Sequence, residues 1–149
     1  MNHQPLHFLL AEDDDAQAEL VALAFEDNRI ANHLDRVCDG VEALAYLRRE
    51  PPFADAPRPD ILLLDLNMPK KGGLEVLSEI KEDADLCTIP VVILTTSTAE
   101  SDKARAYRHH ANSFITKPVD FDQFHTMIKD LNCYWTAWNQ RLESPARAA

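Results

Sequence analysis

The chain is 149 residues and 16.9 kDa, the size of one ordinary domain, which excludes a large multidomain enzyme. Apolar residues make up 46% and charged residues 27%, a globular balance and not that of a disordered chain. Fifteen Lys+Arg against 25 Asp+Glu give a formal charge of −10, a field that repels nucleic acid and anionic membranes and attracts cations or basic surfaces.

The first apolar run, His7-Phe-Leu-Leu-Ala11, is continuous and short, the pattern of a strand covered on both faces. Ala18, Val21, Ala22 and Phe25 then recur at helical spacing. His33-Leu-Asp-Arg-Val-Cys38 alternates, as a half-exposed edge strand does, and Val41, Leu44, Ala45 and Leu47 predict a second helix. Glu50–Pro59 holds four prolines in ten residues and is expected to be a loop. Asp60-Ile-Leu-Leu-Leu-Asp65 is a third strand, followed by a helix through Leu74, Leu77, Ile80 and Lys81 that starts at Gly72-Gly73. Pro90-Val-Val-Ile-Leu-Thr95 and Ser113-Phe-Ile-Thr116 are further buried strands, with a weakly apolar helix expected over Ala99–His110. Strand–helix alternation of this kind predicts a doubly wound parallel α/β sheet with right-handed crossovers.

Cys38, Cys87 and Cys133 are scattered, with no C-x-x-C, so neither a disulfide framework nor a zinc knuckle is indicated. The start lacks a basic segment leading into an apolar stretch, and no apolar run approaches the roughly 20 residues of a membrane span. A cytoplasmic setting without membrane attachment is the expectation.

Ligands of a parallel α/β sheet gather beyond the carboxyl ends of its strands, so those end residues carry the chemistry. The first strand ends in Glu12-Asp13-Asp14-Asp15, the third in Asp65, then Leu66-Asn67-Met68-Pro69. The fourth ends in Thr95-Thr96-Ser97 and the fifth in Lys117-Pro118. A single Asp after a strand is ordinarily a turn or an N-cap, but Asp65 follows four large apolar residues that hold its backbone in the core. Several carboxylates converging at one edge repel each other, and a hard divalent ion such as Mg²⁺ relieves that conflict. Asp65 as nucleophile, a metal as clamp, Thr95 as a hydrogen-bond donor and Lys117 as an ion-pair partner make a phosphoryl-acceptor site.

These residues resemble the response-regulator receiver domain of two-component signalling over about residues 6 to 131: Glu12-Asp13, Leu-Leu-Leu-Asp65-Leu-Asn-Met-Pro, Thr95 and Lys117-Pro118 stand in that family's order and spacing. The resemblance implies a flavodoxin-like, doubly wound five-stranded parallel sheet of order 2-1-3-4-5 with an extended C-terminal helix. It implies that Asp65 takes a phosphoryl group from a sensor histidine kinase or a small phosphodonor. Asp13 would ligate Mg²⁺ directly, Glu12 through water, and Asn67 through its backbone carbonyl. Thr95 and Phe114 would form the switch, and Lys117 would contact the phosphoryl group. Of Asp14 and Asp15, one is expected to cap a helix. Two residues depart from the family pattern: Glu12 is longer than the more common Asp, and His110 stands where glycine is usual, which puts a helix-to-strand turn in question.

The six histidines are read as solvated or capping: His109 and His110 point apart on a helix, and His3 and His7 lie near the terminus. Phe121, Phe124, Ile128, Leu131, Trp135, Trp138 and Leu142 follow a 3-4 spacing, with Tyr134 beside them. The first four suffice to dock a helix on the sheet. The remainder, in an extension over residues 132–149, either folds back on the domain or builds a homodimer surface with Phe124, Ile128 and Leu131. Together with the Pro-rich loop and the Asn67-Met-Pro-Lys-Lys turn, this ending resembles single-domain regulators paired with phytochrome-type histidine kinases. The expected function is a signalling switch and not an enzyme. A haloacid-dehalogenase-type phosphatase would need a second Asp two residues after the nucleophile, where this chain has Asn67. A scaffold without phosphotransfer would not need the acceptor set.

Overall fold

Strands buried on both faces need apolar residues at every position, and the central segments have them. In the computed structural model, which describes residues 6–27, 33–66, 68–95, 113–116 and 121–133, the strands are β1 (His7–Ala11), β2 (His33–Val37), β3 (Ile61–Leu64), β4 (Val91–Thr95) and β5 (Ser113–Thr116). They pair in parallel in the order β2-β1-β3-β4-β5, as the resemblance implied. All of β1 and β3 is buried, whereas β2, at the edge, is half covered until Val37. The alternating pattern of residues 33–38 carried that distinction.

Helices α1 (Asp15–Asp27), α2 (Gly40–Leu47), α3 (Gly73–Glu82) and α4 (Phe121–Cys133) cover the sheet. Strand residues alternate between two cores. Phe8, Leu10, Ile61, Leu63, Val92 and Leu94 face α1 through Ala18, Val21, Ala24 and Phe25, and α4 through Ile128. Leu9, Ala11, Val37, Leu62, Leu64, Val91 and Ile93 face α2 and α3 through Ala43, Leu44, Leu47, Val76, Leu77 and Ile80. Phe8 and Phe25 meet edge to face, with ring centroids 4.8 Å apart. Leu63, fully buried in the first core, is expected to cost about 2–5 kcal/mol when cut to Ala, read as a lowered urea midpoint.

Residues 50–59 form turns and irregular backbone, as their prolines predicted. Phe53 from this loop packs against Tyr46 of α2 at 5.5 Å. The expected helix over Ala99–His110, the turn at His110 and residues 134–149 lie outside the described residues. No described helix is long and apolar enough to cross a membrane.

Candidate functional site

Register brings the acidic residues together. Ala11 pairs with both Val37 and Leu64, so Glu12 and Asp65 each stand one residue past the same rung of the sheet. The backbone continues that pairing: Asp65 N–H donates to Ala11 O at 3.1 Å and Glu12 N–H to Val37 O at 3.0 Å. Glu12 is 2% and Asp65 6% exposed, while Asp13 faces solvent. One carboxylate oxygen from each of Glu12, Asp13 and Asp65 lies within 4.8 Å of the others. Two buried carboxylates and one exposed one this close repel one another, a cost that a bound cation offsets. The donors are all hard oxygens, which fits a small divalent cation that keeps several waters.

The chain fastens this acidic loop from several sides. Asp14 caps α1: its Oδ1 accepts from Gln17 N–H at 3.1 Å, which settles the choice between Asp14 and Asp15. Asp14 N–H donates to Glu12 Oε2 at 3.3 Å. Arg36 of β2 donates from Nε to Glu12 O at 2.9 Å and from its guanidinium to Asp15 Oδ1 at 2.8 Å. Arg36 was not among the sequence-based candidates; its position one before the end of an edge strand, beside an acidic loop, was the available signal.

The loop after Asp65 is closed by glycine. A Cβ on Gly73 would stand 2.3 Å from Asp65 O and 2.7 Å from Leu66 Cα, so only glycine lets α3 start this close to the strand end. Gly73 N–H donates to Leu66 O at 3.0 Å. Gly40 does the same for the neighbouring turn, where a Cβ would meet Lys71 O at 2.1 Å. Asp39, buried, caps α2 by accepting from Glu42 N–H at 2.8 Å, and Lys70 Nζ reaches its other oxygen at 3.4 Å. Thus the α2 start and the loop after Asp65 are joined by an ion pair. Asp39 and Lys70 were also absent from the sequence-based candidates, although Asp39-x-x-Glu42 is a helix-start pattern.

Thr95 ends β4 and pairs with Thr116 at the end of β5, on the carboxyl side of the sheet that holds Asp65. Phe114 pairs with Ile93 in the backbone ladder. The side chains of Thr95, Phe114, Phe124 and Leu131 lie outside what is described, as do Asn67, Lys117, Tyr134, Trp135 and Trp138 entirely. Ile128 is buried against the first core, so it docks the helix on the sheet and, contrary to the expectation, is not open to a homodimer surface.

At the other end of the sheet the histidine expectation needs correction. His7 is neither solvated nor capping. It is largely buried, stacks on His33 at 4.7 Å, and its Nε2 lies 2.8 Å from the Tyr46 hydroxyl. Tyr46 donates in turn to Asp35 Oδ2 at 2.5 Å. Burial holds His7 below the usual histidine range despite Asp35, and burial, then the bond to Asp35, pushes Tyr46 well above the usual phenol range. Spacing along the chain could not reveal this group, because its members come from two strands and a helix.

Residues 8–129 match the family model described as the response regulator receiver domain. A probable methanogenesis regulatory protein, FilR2, from Methanothrix harundinacea is 42% identical over 137 residues, covering 91% of this chain and 87% of its own length. Response regulator Rcp1 from Synechocystis sp. is 39% identical over 134 residues, 90% of this chain and 91% of its own. The Mn²⁺-bound form of Rcp1 superposes with a TM-score of 0.85 at 37% identity, covering 93% of this chain and all of that one. The phosphorylated cyanobacterial phytochrome response regulator RcpA does so with a TM-score of 0.88 at 40% identity, covering 94% of this chain and all of that one.

Proposed function

The chain belongs to the response regulator receiver family, and on that premise we propose that Asp65 is its phosphoryl acceptor, in a single-domain switch driven by a phytochrome-type sensor histidine kinase. The observation that carries this reading is the meeting of Glu12, Asp13 and Asp65 at one strand-end edge. An Asp65 carboxylate oxygen attacks phosphorus, the P–N bond of the donor phosphohistidine breaks, and its electron pair leaves with the imidazole. Glu12, Asp13, Asp65 and the Asn67 carbonyl would hold Mg²⁺, the Rcp1 structure with Mn²⁺ supporting a divalent ion here. When bound, the ion supplies charge neutralisation among the carboxylates and the phosphoryl oxygens. Arg36 and the Asp14 cap hold the acidic loop in position; Thr95 donates a hydrogen bond to the new phosphoryl oxygen and Lys117 pairs with its charge.

RcpA, named as a phytochrome response regulator, aligns with 94% of this chain, which supports pairing with a kinase of that class. FilR2, named for a different process, shares the receiver and so supports only the acceptor chemistry. The receiver spans residues 6–131 and residues 132–149 form an extension that passes the signal by protein contact. The −10 charge supports a protein partner over nucleic acid or membrane, in the cytoplasm. Incubation with acetyl phosphate and Mg²⁺, followed by peptide mapping, is expected to find one phosphoryl group on Asp65; a label elsewhere would overturn the assignment. In the sequence Trp135 and Trp138, with Tyr134 beside them, continue the 3-4 apolar spacing of residues 121–131, which supports a homodimer surface. Light scattering at high micromolar concentration is expected to give twice the chain mass, and Trp138→Ala to shift it toward one.

A further inference from the structure

We propose that His7, His33 and Asp35 form a second metal site, selective for a borderline transition ion of the Zn²⁺ class, at the end of the sheet opposite Asp65. His7 and His33 are in-register partners on the parallel strands β1 and β2, and Asp35 lies two residues along β2, so all three share the face toward α2. One ligand atom from each lies within 4.8 Å of the others. His33 Nε2 stands 3.1 Å from Asp35 Oδ1, and His7 Nε2 stands 3.6 Å from Asp35 Oδ2. Tetrahedral zinc with ligands about 2.0–2.1 Å away sets neighbouring ligands about 3.4 Å apart; the two histidine–aspartate separations lie near that value, and the stacked imidazoles of His7 and His33, 4.7 Å apart, turn so that their ring nitrogens converge on the ion.

The donor set separates this site from the acidic one. Two imidazoles and a carboxylate suit zinc-class ions, whereas three carboxylates suit a hard ion such as Mg²⁺. Tyr46 supplies a support outside the ligands: its hydroxyl holds Asp35 Oδ2 and fixes the carboxylate against the histidines. On binding, the proton that His7 Nε2 offers to Tyr46 shifts to Nδ1, so His7 ligates as neutral imidazole. His33 is 62% exposed on its side chain, which leaves an open path from solvent. The bound ion would tie the edge strand β2 to β1 without touching Asp65.

The test is calorimetric titration of chelator-treated protein with Zn²⁺ alone, in Mg²⁺ sufficient to fill the acidic site. One tight equivalent is expected in the wild type and in Asp65→Asn. His33→Ala and Asp35→Asn are expected to weaken it about tenfold or more. Zn²⁺ should also shift the ring resonances of His7 and His33 and raise the melting temperature of the wild type but not of His33→Ala. His33 is largely solvent-facing, so its replacement leaves the core intact, and a thermal melt without metal checks that. No tight equivalent in the wild type, or equal affinity in wild type and His33→Ala, would overturn the proposal.

Discussion

Asp65→Asn is expected to lose phosphoryl incorporation from acetyl phosphate by on the order of a thousandfold or more, because the amide removes the proposed nucleophile. The side chain is nearly buried and its backbone is bonded to Ala11, so a near-isosteric amide keeps the fold while removing the nucleophile. Asp13→Asn leaves Asp65 in place but removes the exposed oxygen of the trio, and is expected to weaken divalent-ion binding about tenfold or more. Chelation of the metal should stop labelling of the wild type. Intact-mass spectrometry reads the two labelling results, and calorimetric titration with Mg²⁺ reads the affinity of Asp13→Asn. Equal labelling of Asp65→Asn and wild type would sink the acceptor assignment.

Gly73→Ala should damage both stability and acceptor chemistry. The added methyl would stand 2.3 Å from the carbonyl oxygen of Asp65, and both atoms belong to backbone that cannot swing aside. Either α3 backs away from the sheet, losing packing by Val76 and Leu77, or the end of β3 moves. Overpacking of this kind costs about 1–3 kcal/mol. If β3 yields, Asp65 leaves its place beside Glu12, and phosphoryl incorporation falls with stability. Gly72→Ala is the control, since a Cβ there meets nothing nearer than Leu66 O at 3.6 Å. A Gly73→Ala protein with wild-type melting and labelling would contradict the close approach described.

Much of the site was legible because its residues are tied to strand ends. The run Ile61–Leu64 can only be a strand buried on both faces, and the residue that follows such a strand is set at the sheet's carboxyl edge. Glu12 and Asp13 follow from β1 by the same reasoning. The Pro-rich loop, the edge character of β2 and the capping role of an Asp after Asp13 were equally readable from local chemistry. What escaped were residues whose role depends on a neighbour far along the chain. Arg36 matters through the carbonyl of Glu12, and Asp39 through Lys70. His7 was misread for the same reason.

The amino-acid sequence by itself determined the alternation of strands and helices, the buried character of β1 and β3, and which carboxylates stand at their carboxyl ends. These are local properties: hydrophobic period, turn residues and the chemistry of strand ends. Only the tertiary structure decided which pairs of distant residues meet. Parallel register aligned Ala11 with Leu64 and so set Glu12 beside Asp65; the same register aligned His7 with His33. A one-residue slip would have turned each of those side chains to the other face. Register follows from packing the whole sheet against two helical layers, which no single segment encodes.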